Sequence, residues 1–224
     1  MPGKLSRLHR FLADHFFYTA LLWSALAVGI LAGRVLLSGR STYDFLMWNL
    51  ILAWVPFLCS LWAASLRRRF PWWSLPIPLF VWLIFFPNAP YIVTDFLHLR
   101  ERELIPIWYD TILVAAFAWS GVFLAVASLH IVQSLARSYV GRAWSWMLVG
   151  VTLALSGLGI YLGRFLDWNS WDLLLHPRLV LGDVLTRVLN PFDHLGAVGM
   201  TILFAAFVFV CYVTFLSVQR RDRV

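Results

Sequence analysis

Tyr91, Thr94, Asp95 and His98 stand at i, i+3, i+4 and i+7 in the stretch Tyr91-Ile92-Val93-Thr94-Asp95-Phe96-Leu97-His98-Leu99. On an α-helix this spacing puts a phenol, a hydroxyl, a carboxylate and an imidazole on one face. A carboxylate and an imidazole one turn apart can work as an acid–base pair, the carboxylate orienting the ring, or can share a metal ion. The plainer alternative is a polar network that pins the chain. Asn88 joins the group from the break Phe86-Pro87-Asn88-Ala89-Pro90 just upstream.

Two further clusters carry chemistry-bearing side chains. Trp108-Tyr109-Asp110 opens an apolar run; Asp110 is either a first-turn acid favoured by the helix dipole or a third member of the Asp95–His98 site. Gly163-Arg164-Phe165-Leu166-Asp167-Trp168-Asn169-Ser170-Trp171-Asp172 is dense in groups that recognise phosphate, carboxylate or sugar. Arg164 can clamp an anion with two parallel donors or snorkel to the headgroups. Asn169 or Ser170 can cap a short helix running through Asp172. Asp95, His98 and Asp110 are therefore the candidate catalytic residues. Asn88, Tyr91, Thr94, Arg164, Asn169 and Asp172 are the candidate substrate contacts. His176 and His194 are further proton or metal candidates, and His130 reads as a buried, satisfied ring. The metal and any cofactor are unknown at this level. No nucleotide loop, zinc-protease helix, nucleophile elbow or dinucleotide fingerprint is present.

The elements that must position these groups are membrane helices. Of 224 residues 61% are hydrophobic and 13% charged, and the mean hydropathy is +0.78. A soluble domain is about a quarter charged. Many of the 13 Trp sit near the ends of apolar runs, as in an aromatic belt. The net charge of +7 comes from short basic clusters beside apolar runs, so the lipid bilayer rather than nucleic acid is the expected partner. Cys59 and Cys211 both fall inside predicted spans and form neither a disulfide framework nor a zinc spacing.

Six apolar runs are long enough, or nearly so, to cross about 30 Å of hydrocarbon: 16–37, 45–66, 71–86, 107–135, 144–162 and 198–218. The first reads as a retained span rather than a cleaved signal. The third is short, carries Pro76 and Pro78 in its first turns, and needs residues 91–99 to complete its crossing. It is thus a helix broken at Pro87–Pro90, of a kind that persists where protein or a watery cavity satisfies the freed backbone groups. The expected architecture is an all-α polytopic membrane bundle, one integral domain over 1–224. Gly159 and Gly163 form a small-xxx-small pair suited to close helix packing. Pro177 and Pro191 bracket an amphipathic segment, Leu179–Leu189, that suits an interfacial helix.

With six spans both termini share a side. That side receives Lys4, Arg7, Arg10, Arg67, Arg68, Arg69, Arg137, Arg142, Arg220, Arg221 and Arg223, 11 of the 18 basic residues, and the positive-inside rule makes it cytoplasmic. Most acids, among them Asp44, Asp95, Glu101, Glu103, Asp110, Asp167, Asp172, Asp183 and Asp193, fall on the other side. That bias marks either a site or charge balance with the outer arginines Arg34, Arg40, Arg100, Arg102, Arg164, Arg178 and Arg187.

The string from Phe86 to Leu99, then Trp108-Tyr109-Asp110, then Gly163-Arg164 with Trp168-Asn169-Ser170-Trp171-Asp172, resembles the domain-of-unknown-function family 1361. These are uncharacterised bacterial integral membrane proteins. The likeness covers roughly spans two to six. It implies a multi-pass protein of the bacterial plasma (inner) membrane marked by these three motifs, and it carries no activity. The leading expectation is an outward-facing polar site that binds or processes a lipid-linked or envelope substrate. A transporter or channel component is the alternative, and a non-catalytic membrane assembly partner the third. The oligomeric state is open.

Overall fold

The computed structural model describes residues 4–67, 71–101 and 104–221. Arg68, Arg69, Arg102, Glu103 and Arg223, counted above in the charge asymmetry, lie outside the described residues.

The chain folds as α1 (Lys4–Asp14), α2 (Phe17–Ser38), α3 (Asp44–Arg67), α4 (Pro76–Phe85), α5 (Asn88–Tyr91), a 3₁₀ segment Ile92–His98, α6 (Ile107–Phe165), α7 (Asp172–Leu175), α8 (Pro177–Leu189) and α9 (Leu195–Arg221). Five segments are long and apolar enough to cross a membrane: 17–38, 44–67, 76–98, 107–165 and 195–219. The chain is a multi-pass membrane protein. The pattern within α2 explains why. Its buried residues are Ala20, Ser24, Ala27, Leu31 and Arg34, while Leu21, Leu22, Leu26 and Leu36 are exposed. Apart from Leu31, small and polar side chains face the bundle, and most leucines face out, which is the reverse of a soluble helix and suits lipid.

α6 has 59 residues. As one rod it would measure about 88 Å, nearly three times the hydrocarbon thickness. It is broken at Gly141, whose φ of 80° and ψ of −177° are open only to glycine. A β-carbon on Gly121 would lie 2.3 Å from the Ala89 carbonyl oxygen, and one on Gly159 2.9 Å from the Pro87 ring. Thirty-eight residues of straight helix would separate those two glycines by about 57 Å. Both touch the same turn of chain, so the two limbs fold back on one another and α6 makes two crossings. The six apolar runs thus correspond to five helical segments, one of them doubled.

Limb one of α6 is the axis of the bundle. Leu113, Val114, Phe117, Leu124, Ala125 and Leu129 have no exposed surface, and α2, α3, α5 and α9 pack around α6. The Gly159–Gly163 pair faces the broken third helix: a β-carbon on Gly163 would lie 3.3 Å from the Tyr91 ring. α4 begins at Pro76 behind a single 3₁₀ turn, Trp72–Ser74. α1 is an addition that the pattern of spans does not announce; Phe16, in the left-handed region, turns the chain from it into α2.

Candidate functional site

The proline break shapes the site. In an α-helix the Phe86 carbonyl would accept from residue 90, but Pro90 has no N–H. The Ala89 N–H bonds it instead, at 3.2 Å. One α turn, Asn88–Tyr91, follows, and then seven residues of 3₁₀ helix, Ile92–His98, longer than the usual three or four. This differs from the α-helical stripe expected from the spacing. With three residues per turn, Asp95 lines up with His98 and Tyr91 with Thr94, on two adjacent rows. Asp95 and Thr94 are buried, and the His98 ring is half exposed.

Arg164 enters from the end of limb two and ties these rows together. Its Nη2 donates to the Thr94 carbonyl at 2.9 Å and stands 3.2 Å from His98 Nδ1. Its Nη1 donates weakly to the Tyr91 hydroxyl at 3.4 Å and lies 3.6 Å from Asp95 Oδ1. The Thr94 carbonyl is one of the acceptors that a helix end leaves unmatched, and the guanidinium caps it. A guanidinium only donates, so His98 Nδ1 must be the acceptor. That contact corresponds to the neutral tautomer with its proton on Nε2. Phe45 packs against the ring, with centroids 4.8 Å apart.

Asp95 is held from the other side by α3. Asn49 Nδ2 donates to Asp95 Oδ2 at 2.8 Å. Oδ1 is buried and accepts no hydrogen bond among the described residues; its neighbours are Arg164 and, at 3.8 Å, His98 Nδ1. A carboxylate-oriented imidazole would need an Nδ1–H bonded to that oxygen. Here the nitrogen faces Arg164 instead, so Asp95 and His98 are joined through the guanidinium. The same cation lies against both candidate metal ligands, 3.2 Å from His98 Nδ1 and 3.6 Å from Asp95 Oδ1. Among the described residues no three His, Cys, Asp or Glu side chains gather as a metal-binding group.

A cavity of about 330 Å³ lies in front of this cluster, at the lower end of the ~300–1,000 Å³ typical of small-molecule sites. Its walls are apolar: Leu52 from α3, Phe80, Leu83 and Ile84 from α4, Leu155, Leu158 and Leu162 from limb two. Its polar end is formed by Asn49, Asn88, Tyr91, Asn169 and Ser170. Asn49 and Tyr91 are thus shared, touching the cavity on one side and Asp95 or Arg164 on the other. Trp48 and Phe80 line the cavity and are themselves exposed, so it communicates with the outside of the bundle.

The loop after limb two forms the roof. Asn88 Nδ2 donates to the Ser170 hydroxyl at 2.7 Å, and that hydroxyl donates to the Ile84 carbonyl at 3.1 Å. Asp172 accepts the Asn169 backbone N–H at 2.8 Å. The cap thus runs from Asp172 back to residue 169, opposite to the expected direction. Trp168 Nε1 donates to Asp183 at 2.7 Å, which anchors α8 over the cavity, where Val180 and Val184 line it. The Trp168 hydrogen bond, helped by the Arg187 guanidinium, holds the Asp183 carboxyl below its ordinary range against the opposing effect of burial. His176 lies 3.5 Å from Asp172.

Asp110 belongs to a different structure. Arg34 donates to its two oxygens at 2.6 and 3.1 Å, both side chains are at most 2% exposed, and the Tyr43 ring lies 4.6 Å beneath the guanidinium carbon. The first and third motifs meet; Asp110 makes no ion pair or hydrogen bond with Asp95, His98 or Arg164 among the described residues. Sequence reasoning missed Asn49 and the pairing of Arg34. Each is a lone polar residue inside an apolar run, and that isolation was the available signal.

Residues 48–214 match the family described as "Protein of unknown function (DUF1361)". The chain is a DUF1361 protein. The match spans Asn49, Asp95, His98, Arg164 and the residues that line the cavity, and leaves Phe45 and Arg34, the partner of Asp110, outside it. No curated protein and no solved structure matches the DUF1361 chain.

Proposed function

We propose that this protein lies in a bacterial plasma membrane with both termini cytoplasmic, and that the Asp95–Arg164–His98 cluster is an outward-facing site that binds the polar group of a lipid-linked or envelope substrate. The orientation rests on the basic residues at the opposite end of the bundle. One observation carries the functional reading: the apolar cavity ends in Asn49, Asn88, Tyr91, Asn169 and Ser170, and two of these five hold the charged cluster behind them. An apolar slot with a few convergent polar groups suits a ligand with a hydrocarbon body and a polar head. The hydrocarbon would lie along Leu158 and Phe80. The head would meet the amides, and the positive charge of Arg164 would favour an anionic group. His98, half exposed beside Arg164, adds a further polar group to the cluster.

The test is lipid analysis of the purified protein. Leu158→Trp fills the apolar part, and Asn49→Leu removes an amide from the polar end. Wild type should carry a distinct co-purifying amphiphile, measured by mass spectrometry, that both substitutions deplete. The same lipids in the same amounts on all three proteins would refute the reading.

A further inference from the structure

At the far end of the bundle two polar cavities meet. The smaller, about 210 Å³, is lined by His130, Gln133, Ser134, Arg137, Arg142 and Ser145 among others, and among the described residues no Asp or Glu lines it. The larger, about 460 Å³, shares His130 and Ser134 and adds His15, Arg67 and one acid, Asp14. Arg142 precedes Arg164 by 22 residues of limb two, or about 33 Å. These cavities therefore lie a full hydrocarbon thickness of about 30 Å away from the Asp95 cluster.

The smaller cavity is built rather than incidental. Gly141 reverses the chain between the limbs with a backbone conformation only glycine adopts readily. That turn brings Arg137, at the end of limb one, and Arg142, at the start of limb two, onto one cavity. Neither guanidinium has a carboxylate within ion-pair distance among the described residues. Beneath them Gln133 is 8% exposed and Tyr212 fully buried. The Tyr212 hydroxyl donates to the Gln133 side-chain oxygen. One lone pair of the amide oxygen is thereby used, and its two N–H donors have no protein acceptor among the described residues. A basic membrane face needs neither a cavity nor a buried amide turned this way.

The lining is dominated by donors. Two guanidinium groups alone offer ten N–H groups, more than the two oxygens of a carboxylate can accept, whereas a phosphate group presents more acceptor oxygens and suits planar forks. The volume equals that of about seven waters, room for a phosphate group with part of its hydration. We propose that this cavity is a binding site for a phosphate group, carried by a lipid headgroup or by a soluble anion.

The full chain, purified in detergent and in nanodiscs of phosphatidylcholine, would be titrated with inorganic phosphate. Retention of phosphatidylglycerol would be followed by native mass spectrometry. Saturable phosphate binding assigns a soluble source. Selective retention of phosphatidylglycerol without phosphate binding assigns the headgroup. In either case Arg137→Gln with Arg142→Gln should weaken binding by at least about tenfold, the loss expected for removing charge-assisted hydrogen bonds. Ser134→Trp, which keeps the charges and obstructs the cavity, should weaken it comparably and covers the event that the arginine variant does not fold. Arg40→Gln, at the other end of the bundle, should change nothing. Absence of binding to either probe, or binding that survives the cavity substitutions, would overturn the proposal.

Discussion

The Arg34–Asp110 pair gives the sharpest energetic prediction. Both side chains are at most 2% exposed and are joined by two hydrogen bonds of 2.6 and 3.1 Å. Asp110→Ala leaves a guanidinium buried in the bundle without its counter-charge. Breaking a buried pair by removing one partner costs about 3–5 kcal/mol. At about 2–4 °C per kcal/mol for a chain of this size, the unfolding midpoint should fall by roughly 6–20 °C. Arg34→Met should cost a similar amount, because it leaves the carboxylate alone. The double variant Arg34→Met with Asp110→Leu removes both charges together and fills the space with hydrocarbon. Such replacements are often neutral or stabilising, so it should recover most of the loss. The assay is thermal unfolding of all four proteins in one detergent, alongside ligand retention at the Asp95 cavity. The pair makes no ion pair or hydrogen bond with Asp95, His98 or Arg164 among the described residues, so retention at a temperature where every variant is folded should stay at the wild-type level. Additive losses in the double variant would refute the argument that the cost is an uncompensated charge. Loss of ligand from the folded double variant would return Asp110 to the site.

Two other consequences follow from single contacts. Gly121→Ala would set a β-carbon 2.3 Å from the Ala89 carbonyl oxygen, a backbone atom with little freedom to move; overpacking of this kind costs about 1–3 kcal/mol, read as a lowered unfolding midpoint. Asp183, outside the spanning segments, has its pKa held down by Trp168 and then Arg187. A group with a depressed folded pKa contributes stability above its unfolded pKa and loses it as pH falls through the folded one. The attachment of α8 should therefore hold at neutral pH and loosen only on acidification below the ordinary aspartate range, seen as faster amide exchange over residues 168–187; Asp183→Asn should abolish that acid step.

The membrane bundle was legible in the sequence because lipid imposes long apolar runs, and hydrophobicity over some 20 residues is a strong signal. The break at Pro87–Pro90 was legible because proline removes a donor wherever it stands. Shared depth pointed to Asp110 as the partner of Asp95 and His98, whereas the third motif, with Arg164 at the outer end of its span, is the one that meets them. That exchange of partners was not legible. Arg34 and Arg164 lie at the ends of two helices on the same side, and both Asp95 and Asp110 are acids within reach of that level. Which arginine meets which acid depends on the order of helices around the bundle, which one sequence does not encode locally. The switch from α to 3₁₀ geometry was hidden for a similar reason, since Ile92–His98 contains no residue that dictates it. Its cause lies upstream, at Pro90, and across the interface, where Arg164 takes the Thr94 carbonyl.

The claim that matters most is that an amphiphile occupies the slot between α3, α4 and limb two of α6. A photo-crosslinking residue at Leu158, inside the cavity, should be compared with one at Leu203, which is 69% exposed on α9. After irradiation in native membranes and mass spectrometry of the adducts, position 158 should trap one enriched amphiphile and position 203 the bulk lipid mixture. Identical adduct mixtures at the two positions would contradict the account.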